Sequence, residues 1–304
     1  MYFSYENQLL SLHQRKTGTH FKKLFIMNVR TIFAASLAVL MSACQQAEIE
    51  NADKSKELAF KVGFDVEKGV ISRASLGEYI SALQVFDYKD GVLKNEVTQT
   101  SEEEGFGTVA LDADYGTHEY VFVGHNSVSC SYDHGKSELS FDKILDTFTA
   151  VQTLTVDIDT EEKQTIKMER QVAGIKLVMQ DAIPQSAASI ELTVEGYSSS
   201  LNPKTGKGAA GTKHVREWEY STSNIGKTNT SYTLYTFLPD DGHTVDITIR
   251  VEGTDGNDIV NYTLEDISVE KNKMTVISGY LLSTELSASV SVEGEWDTDI
   301  EVNI

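Results

Sequence analysis

Strict alternation of apolar and polar side chains recurs along most of this chain and leaves few places where a helix could form. Phe60, Val62, Phe64 and Val66 share one side of an extended segment, with Lys61 and Asp65 on the other. Val245, Ile247, Ile249 and Val251 alternate in the same way with Asp246, Thr248, Arg250 and Glu252. Successive side chains of a strand point to opposite faces, so a period of two marks a strand with one buried face. Similar runs cover 80–88, 120–123, 154–158, 174–179, 189–195, 232–238, 261–267, 274–282, 286–292 and 300–304. Turn-forming residues separate them at Lys89-Asp90-Gly91, Asp114-Tyr115-Gly116, Pro203-Lys204-Thr205-Gly206, Asp240-Asp241-Gly242 and Asp255-Gly256-Asn257. A short helix is predicted only over 141–151.

Strands at this spacing, with no strand–helix alternation, predict an all-β chain of antiparallel sandwiches. A length of 304 residues suits two of them. The polar stretch 160–170 stands before the apolar run 172–179. The boundary is therefore placed there, with an N-terminal sandwich over 58–168 and a C-terminal one over 169–304. The Ser-, Gly- and Lys-rich stretch 198–213 predicts a long surface loop.

Composition narrows the function. Hydrophobic residues make up 40% and aromatics 9%, enough for a core and too much for wholesale disorder. Against 46 acidic residues stand 26 basic ones, a net charge of −20 that repels phosphate backbones and argues against a nucleic-acid partner. Two cysteines, Cys44 and Cys130, exclude a disulfide-dense scaffold and a four-cysteine zinc site.

No catalytic motif stands out. The chain has no HExxH, no GxSxG and no dinucleotide fingerprint. The stretch 206–213, GKGAAGTK, approaches a phosphate loop but has Thr and Lys in the wrong order. The pairs Asp112/Asp114, Asp157/Asp159, Asp255/Asp258 and Asp297/Asp299 lack EF-hand spacing and read as turn chemistry. His118, His125, Cys130 and His134 lie close in sequence but match no metal-ligand spacing, and Cys130 reads as a small core residue. No metal, cofactor or catalytic residue is expected. Carboxylates are so abundant that their presence neither supports nor excludes a hydrolase using a carboxylate pair.

The N-terminus reads as an export signal. An apolar run, 31–43, follows Lys22, Lys23 and Arg30 and precedes the polar stretch 45–57. It is shorter than the roughly 20 residues that a membrane-crossing helix needs, but it fits the apolar region of a secretory signal. Met27 would give a compact start, with 1–26 an over-extended beginning. The run ends Leu40-Met41-Ser42-Ala43-Cys44, which resembles the bacterial lipobox, with Met41 where Leu is more usual. That resemblance implies lipidation at Cys44, cleavage after 1–43 and a polar tether over 44–57. Several acyl chains would hold such a chain stably at a membrane.

Several stretches, taken together and in order, resemble the fimbrillin superfamily, the major fimbrial subunits and fimbrial anchor lipoproteins of Gram-negative anaerobes. They are Ile71-Ser72-Arg73-Ala74 with ISALQVFDYKDGVL (80–93), YVFVGHN (120–126), MERQVAGIKLV (168–178), YTFLPDDGHTVDITIR (235–250) and NKMTVISGYL (272–281). The resemblance implies two transthyretin-like sandwich domains in tandem and a non-enzymatic, structural role. Its partners would be other fimbrial subunits and, through lipid, the outer membrane. In stalk subunits of that family an Arg-specific protease removes the first strand, and a C-terminal strand of a neighbour fills the groove.

On this chain the resemblance points to the Arg73–Ala74 bond as the processing site, since Arg73 is the sole arginine between Cys44 and Arg170. The departing strand would carry Phe60, Val62, Phe64 and Val66. The donor strand would be the tail 286–304, with Leu286, Ala288, Val290, Val292 and Trp296 as its apolar side chains. Arg73 also reads as an ordinary loop residue, and the tail also reads as an edge strand of the second domain. A competing reading is a surface glycan-binding lipoprotein, for which Trp218 with Tyr220 is the best stacking platform.

Overall fold

A computed structural model describes residues 54–64, 76–209, 211–282 and 287–295. The described residues from Ser55 onward form one compact unit. Its described residues are almost entirely β, as the alternation requires.

The first half is a seven-stranded sheet in the order β3-β2-β5-β8-β9-β1-β4. Its strands are β1 (Ser55–Phe64), β2 (Ala82–Lys89), β3 (Val92–Thr100), β4 (Thr108–Asp114), β5 (Gly116–His125), β8 (Thr147–Val156) and β9 (Lys163–Arg170). β8 meets β9 at only Phe148↔Arg170 and Thr149↔Glu169, so the sheet turns a corner there. Its two leaves then face each other. Phe60 of β1 reaches the rings of Tyr120 and Phe122 of β5, with centroids 4.7 and 5.3 Å apart. Leu58, Val62, Val85, Val109, Phe148 and Met168 complete that core. The β2–β3 hairpin turns through Asp90 and Gly91, both at positive φ (54° and 75°), the type I′ geometry that suits strand twist.

The second half is a sandwich. One sheet runs β15-β10-β18-β19 and the other β14-β11-β16-β17. The first contains β10 (Val172–Met179), β15 (Thr230–Phe237), β18 (Lys273–Tyr280) and β19 (Ser287–Glu295). The second contains β11 (Ala187–Tyr197), β14 (Thr212–Glu219), β16 (Thr244–Gly253) and β17 (Asp258–Ser268). Ile175, Leu177, Leu192, Leu234, Ile247, Ile249 and Ile277 fill the space between them.

A small sheet, β13-β12-β7-β6, spans the two halves. β6 (Cys130–Asp133) and β7 (Glu138–Phe141) belong to the first half, β12 (Ser200–Asn202) and β13 (Lys207–Gly208) to the second. Leu201 pairs with Leu139, both fully buried, and Phe141 meets Phe237 at 5.5 Å. Phe86, Tyr88, Val121 and Val123 join the same core cluster as the second half.

The structure differs from the sequence expectations at particular segments. Residues 141–151 are not a helix: Phe141 ends β7, Thr147 begins β8, and Ile144 plugs the connection between them. The one helix among the described residues is the single turn α1 (Leu76–Tyr79). The polar stretch 160–170 holds β9, and 198–213 is largely β12, β13 and the start of β14 rather than free loop.

Candidate functional site

β1 lies inside the first sheet, not at its edge. It pairs antiparallel with β4 from Ser55↔Asp114 to Lys61↔Thr108 and parallel with β9 from Ala59↔Lys163 to Phe64↔Met168. Of the expected departing strand, Phe60, Val62 and Phe64 are 0–4% exposed, and Leu58 joins them at 0%. Phe64 stacks on Phe148 at 4.1 Å and meets the edge of Tyr79 at 5.3 Å. Val66, Arg73, Ala74 and Cys44 lie outside the described residues.

Within the expected donor tail, β19 pairs antiparallel with β18, Val290 opposite Ile277 and Val292 opposite Thr275. β18 lies between β10 and β19, so β19 is the outermost strand. Ile277 and Thr275 are fully buried, yet Val290 and Val292 remain 47% and 39% exposed, and Ala288 is exposed too. The apolar face of β19 thus overhangs the sandwich core instead of entering it. Leu286 and Trp296 lie outside the described residues.

Other residues singled out from the sequence make packing and hydrogen-bond contacts. Trp218 tilts against Tyr232 at 5.1 Å, and the Arg216 guanidinium sits 4.6 Å from the Trp218 ring centroid. The hydroxyls of Tyr220 and Tyr232 share a 2.8 Å hydrogen bond. Trp218 and Tyr220 are thus partly buried against the sandwich and partly exposed. His118 Nδ1 lies 2.6 Å from the buried Asp87 carboxylate. His125 contacts the Ser127 carbonyl and Gln84. His134 stacks on Tyr88 at 4.0 Å. These imidazoles and Cys130 do not converge, and no metal-binding group of three such residues occurs among the described residues.

Sequence reasoning missed β9, the parallel neighbour of β1. Its signal was faint but present: Ile166 and Met168 are buried between exposed Thr165, Lys167 and Glu169.

The class this arrangement defines is an all-β chain of a curled seven-stranded sheet joined to a four-on-four sandwich. Residues 117–304, more than half of the chain, match the model of a family of unknown function, DUF6562. The chain belongs to that family. No curated protein matches it. Similar solved structures include the fimbrial anchor protein Mfa2 from Porphyromonas gingivalis, 10% identical, TM-score 0.45, covering 79% of this chain and 98% of that one. The tip fimbrial protein Mfa3 from the same organism is 12% identical, TM-score 0.41, covering 79% and 100%. A candidate cell adhesion protein from Bacteroides eggerthii is 12% identical, TM-score 0.49, covering 80% and 96%.

Proposed function

We propose that the chain is a structural, non-enzymatic subunit of surface fimbriae that assembles by strand exchange. The observation that carries this reading is the position of β1, flanked by β9 and β4 with its apolar side chains fully inside. Removing such a strand would expose two unpaired strand edges and an apolar slot. Burial of a large side chain contributes about 1.5–3 kcal/mol, so refilling a slot made for Leu58, Phe60, Val62 and Phe64 is worth roughly 6–12 kcal/mol. Strand addition from a second chain answers both losses.

In this reading the precursor is exported by 1–43 and lipidated at Cys44, with 44–57 as its tether at the outer membrane. Two transthyretin-like domains over 58–168 and 169–304 follow. A stalk subunit is cut at Arg73–Ala74 and sheds β1, whereas an anchor keeps it. The tail 286–304 is the donor. As a set, Ala288, Val290 and Val292 are smaller than Leu58, Phe60, Val62 and Phe64, so in this reading Leu286 and Trp296 seat in the slot as well.

Deleting 286–304 tests the proposal. The expected product is folded, because β19 is an edge strand, and fails to polymerise after processing. An unfolded product, or one that still polymerises, defeats the reading. Intact mass of the envelope form then separates roles: a lipidated Cys44 marks an anchor, and a chain beginning at Ala74 marks a stalk subunit.

A further inference from the structure

β4 has a backbone ladder on one side only. The seven-stranded order ends in β3 at one edge and β4 at the other, so β4 is laddered to β1 alone, from Ser55↔Asp114 to Lys61↔Thr108. On its other side, side-chain amides from β3 bridge the gap. Gln99 Nε2 donates to the Thr108 carbonyl oxygen at 2.8 Å, and the Gly107 amide donates to Gln99 Oε1 at 3.0 Å. Asn95 Nδ2 donates to the Asp112 carbonyl oxygen at 3.2 Å and to Asp87 Oδ2 at 2.8 Å. Four residues on along β3 is four residues back along β4, the register of an antiparallel pair. The two edges of the curled sheet are therefore stitched by side chains, in register, without a backbone rung.

With β1 in place these stitches are redundant, because the β1 ladder already fixes β4. Without β1, β4 loses every rung, and the Val62 amide no longer reaches the Gly107 carbonyl oxygen, 2.9 Å away in the intact chain. Val109, Leu111 and Ala113 are buried and keep β4 near the core. Apolar burial is non-directional, so it fixes no register. A slip of one residue would turn those three side chains outward. Hydrogen bonds to particular backbone groups are directional and hold the register. Gln99 makes two of them and, unlike Asn95, has no part in holding the buried Asp87.

We propose that Gln99, seconded by Asn95, is a positioning residue for strand exchange: it holds β4 in register as the far wall of the slot. The tail of a second copy then meets β9 and β4 one strand apart and can ladder to both. This inference rests on the strand exchange proposed above and names the residue that keeps the acceptor slot ready.

Uptake of a fluorescent synthetic peptide, residues 286–304, by the purified chain before and after cutting with an Arg-specific protease tests it. Gln99→Ala should melt close to the native chain before cutting, because the β1 ladder still holds β4. After cutting, it should take up the peptide about tenfold less tightly or worse, the loss expected for two neutral hydrogen bonds. Hydrogen exchange over 108–114 should rise in the cut variant and stay native-like in the uncut one. Thr98→Ala, exposed on the same strand, should behave as the native chain throughout. A cut native chain that takes up no peptide defeats strand exchange and this inference with it. Native uptake matched by Gln99→Ala defeats this inference alone. So does a Gln99→Ala chain already unfolded before cutting, which would make Gln99 a residue of general stability.

Discussion

Arg170 and Asp146 form a two-point ion pair where the first half of the chain hands over to the second. Nε donates to Oδ1 at 2.9 Å and Nη2 to Oδ2 at 3.0 Å. Nη1 donates to Asn272 Oδ1 at 3.0 Å, which ties the β7–β8 connection to the β17–β18 turn through one side chain. The pair is largely buried, at 8% and 15% side-chain exposure. Burial pushes the Asp146 carboxyl up, and the guanidinium pulls it back down. Arg170→Ala leaves that carboxylate buried and unpaired, so a loss of about 3–5 kcal/mol in urea unfolding is expected. Arg170→Lys keeps the charge but not the fork, and should fall between the two. An alanine variant as stable as the native chain would show that the pair contributes nothing.

His125 should make stability depend on pH near neutrality. It is 2% exposed, with Nδ1 3.1 Å from the Ser127 carbonyl oxygen and Nε2 3.3 Å from Gln84 Oε1. Burial lowers its pKa below 6.5, and the Ser127 contact and Asp142 only partly oppose this. A folded-state pKa below the unfolded one gives stability that is present above pH 6.5 and lost as the pH falls through the folded value. His214 is lowered as well and acts with the same sign. Urea stability should therefore drop between pH 7.5 and 5.5, and His125→Gln should remove part of that drop. An identical slope in the variant would assign the dependence elsewhere.

Cys130 should be chemically quiet in the folded chain. Burial, with the Glu96 charge behind it, pushes its thiol up to about 12. The thiolate is the nucleophile, so the folded protein holds almost none of the reactive form at pH 8. Iodoacetamide labelling of Cys130, located by peptide mass, should be slow at pH 8 in buffer and fast in urea. Rapid labelling of Cys130 in the folded chain would contradict its raised pKa.

The parts legible in the sequence are those fixed by neighbours a few residues away. Val245, Ile247, Ile249 and Val251 of β16 are all buried, as their alternation requires. Asp90 and Gly91 form the expected turn. The parts that were not legible are set by distant partners. β9 buries only Ile166 and Met168, and its place comes from a parallel pairing with β1 about a hundred residues earlier. β12 has three residues and is defined by Leu201 meeting Leu139 of the other half. Residues 141–151 misled for a different reason. Phe141, Ile144, Phe148 and Val151 are spaced as on one helix face, but they serve a strand end, a loop plug and a second strand.

The overhang of β19 makes a quantitative contrast with its partner strand. Val290 and Val292 keep 47% and 39% exposure, while Ile277, opposite Val290, has none. Full burial of a valine contributes about 1.5–3 kcal/mol, so a half-exposed pair retains about 1.5–3 kcal/mol between them. Ile277→Ala removes buried volume from a packed core and should cost about 2–5 kcal/mol. Val290→Ser with Val292→Ser should therefore be the milder change in urea unfolding, although it alters two residues. In assembly the order should reverse: the double serine variant removes apolar side chains meant for a neighbour and should fail to join polymers, while staying folded. If it destabilises the monomer as much as Ile277→Ala, β19 is held as firmly as core and is not free to be lent to another chain.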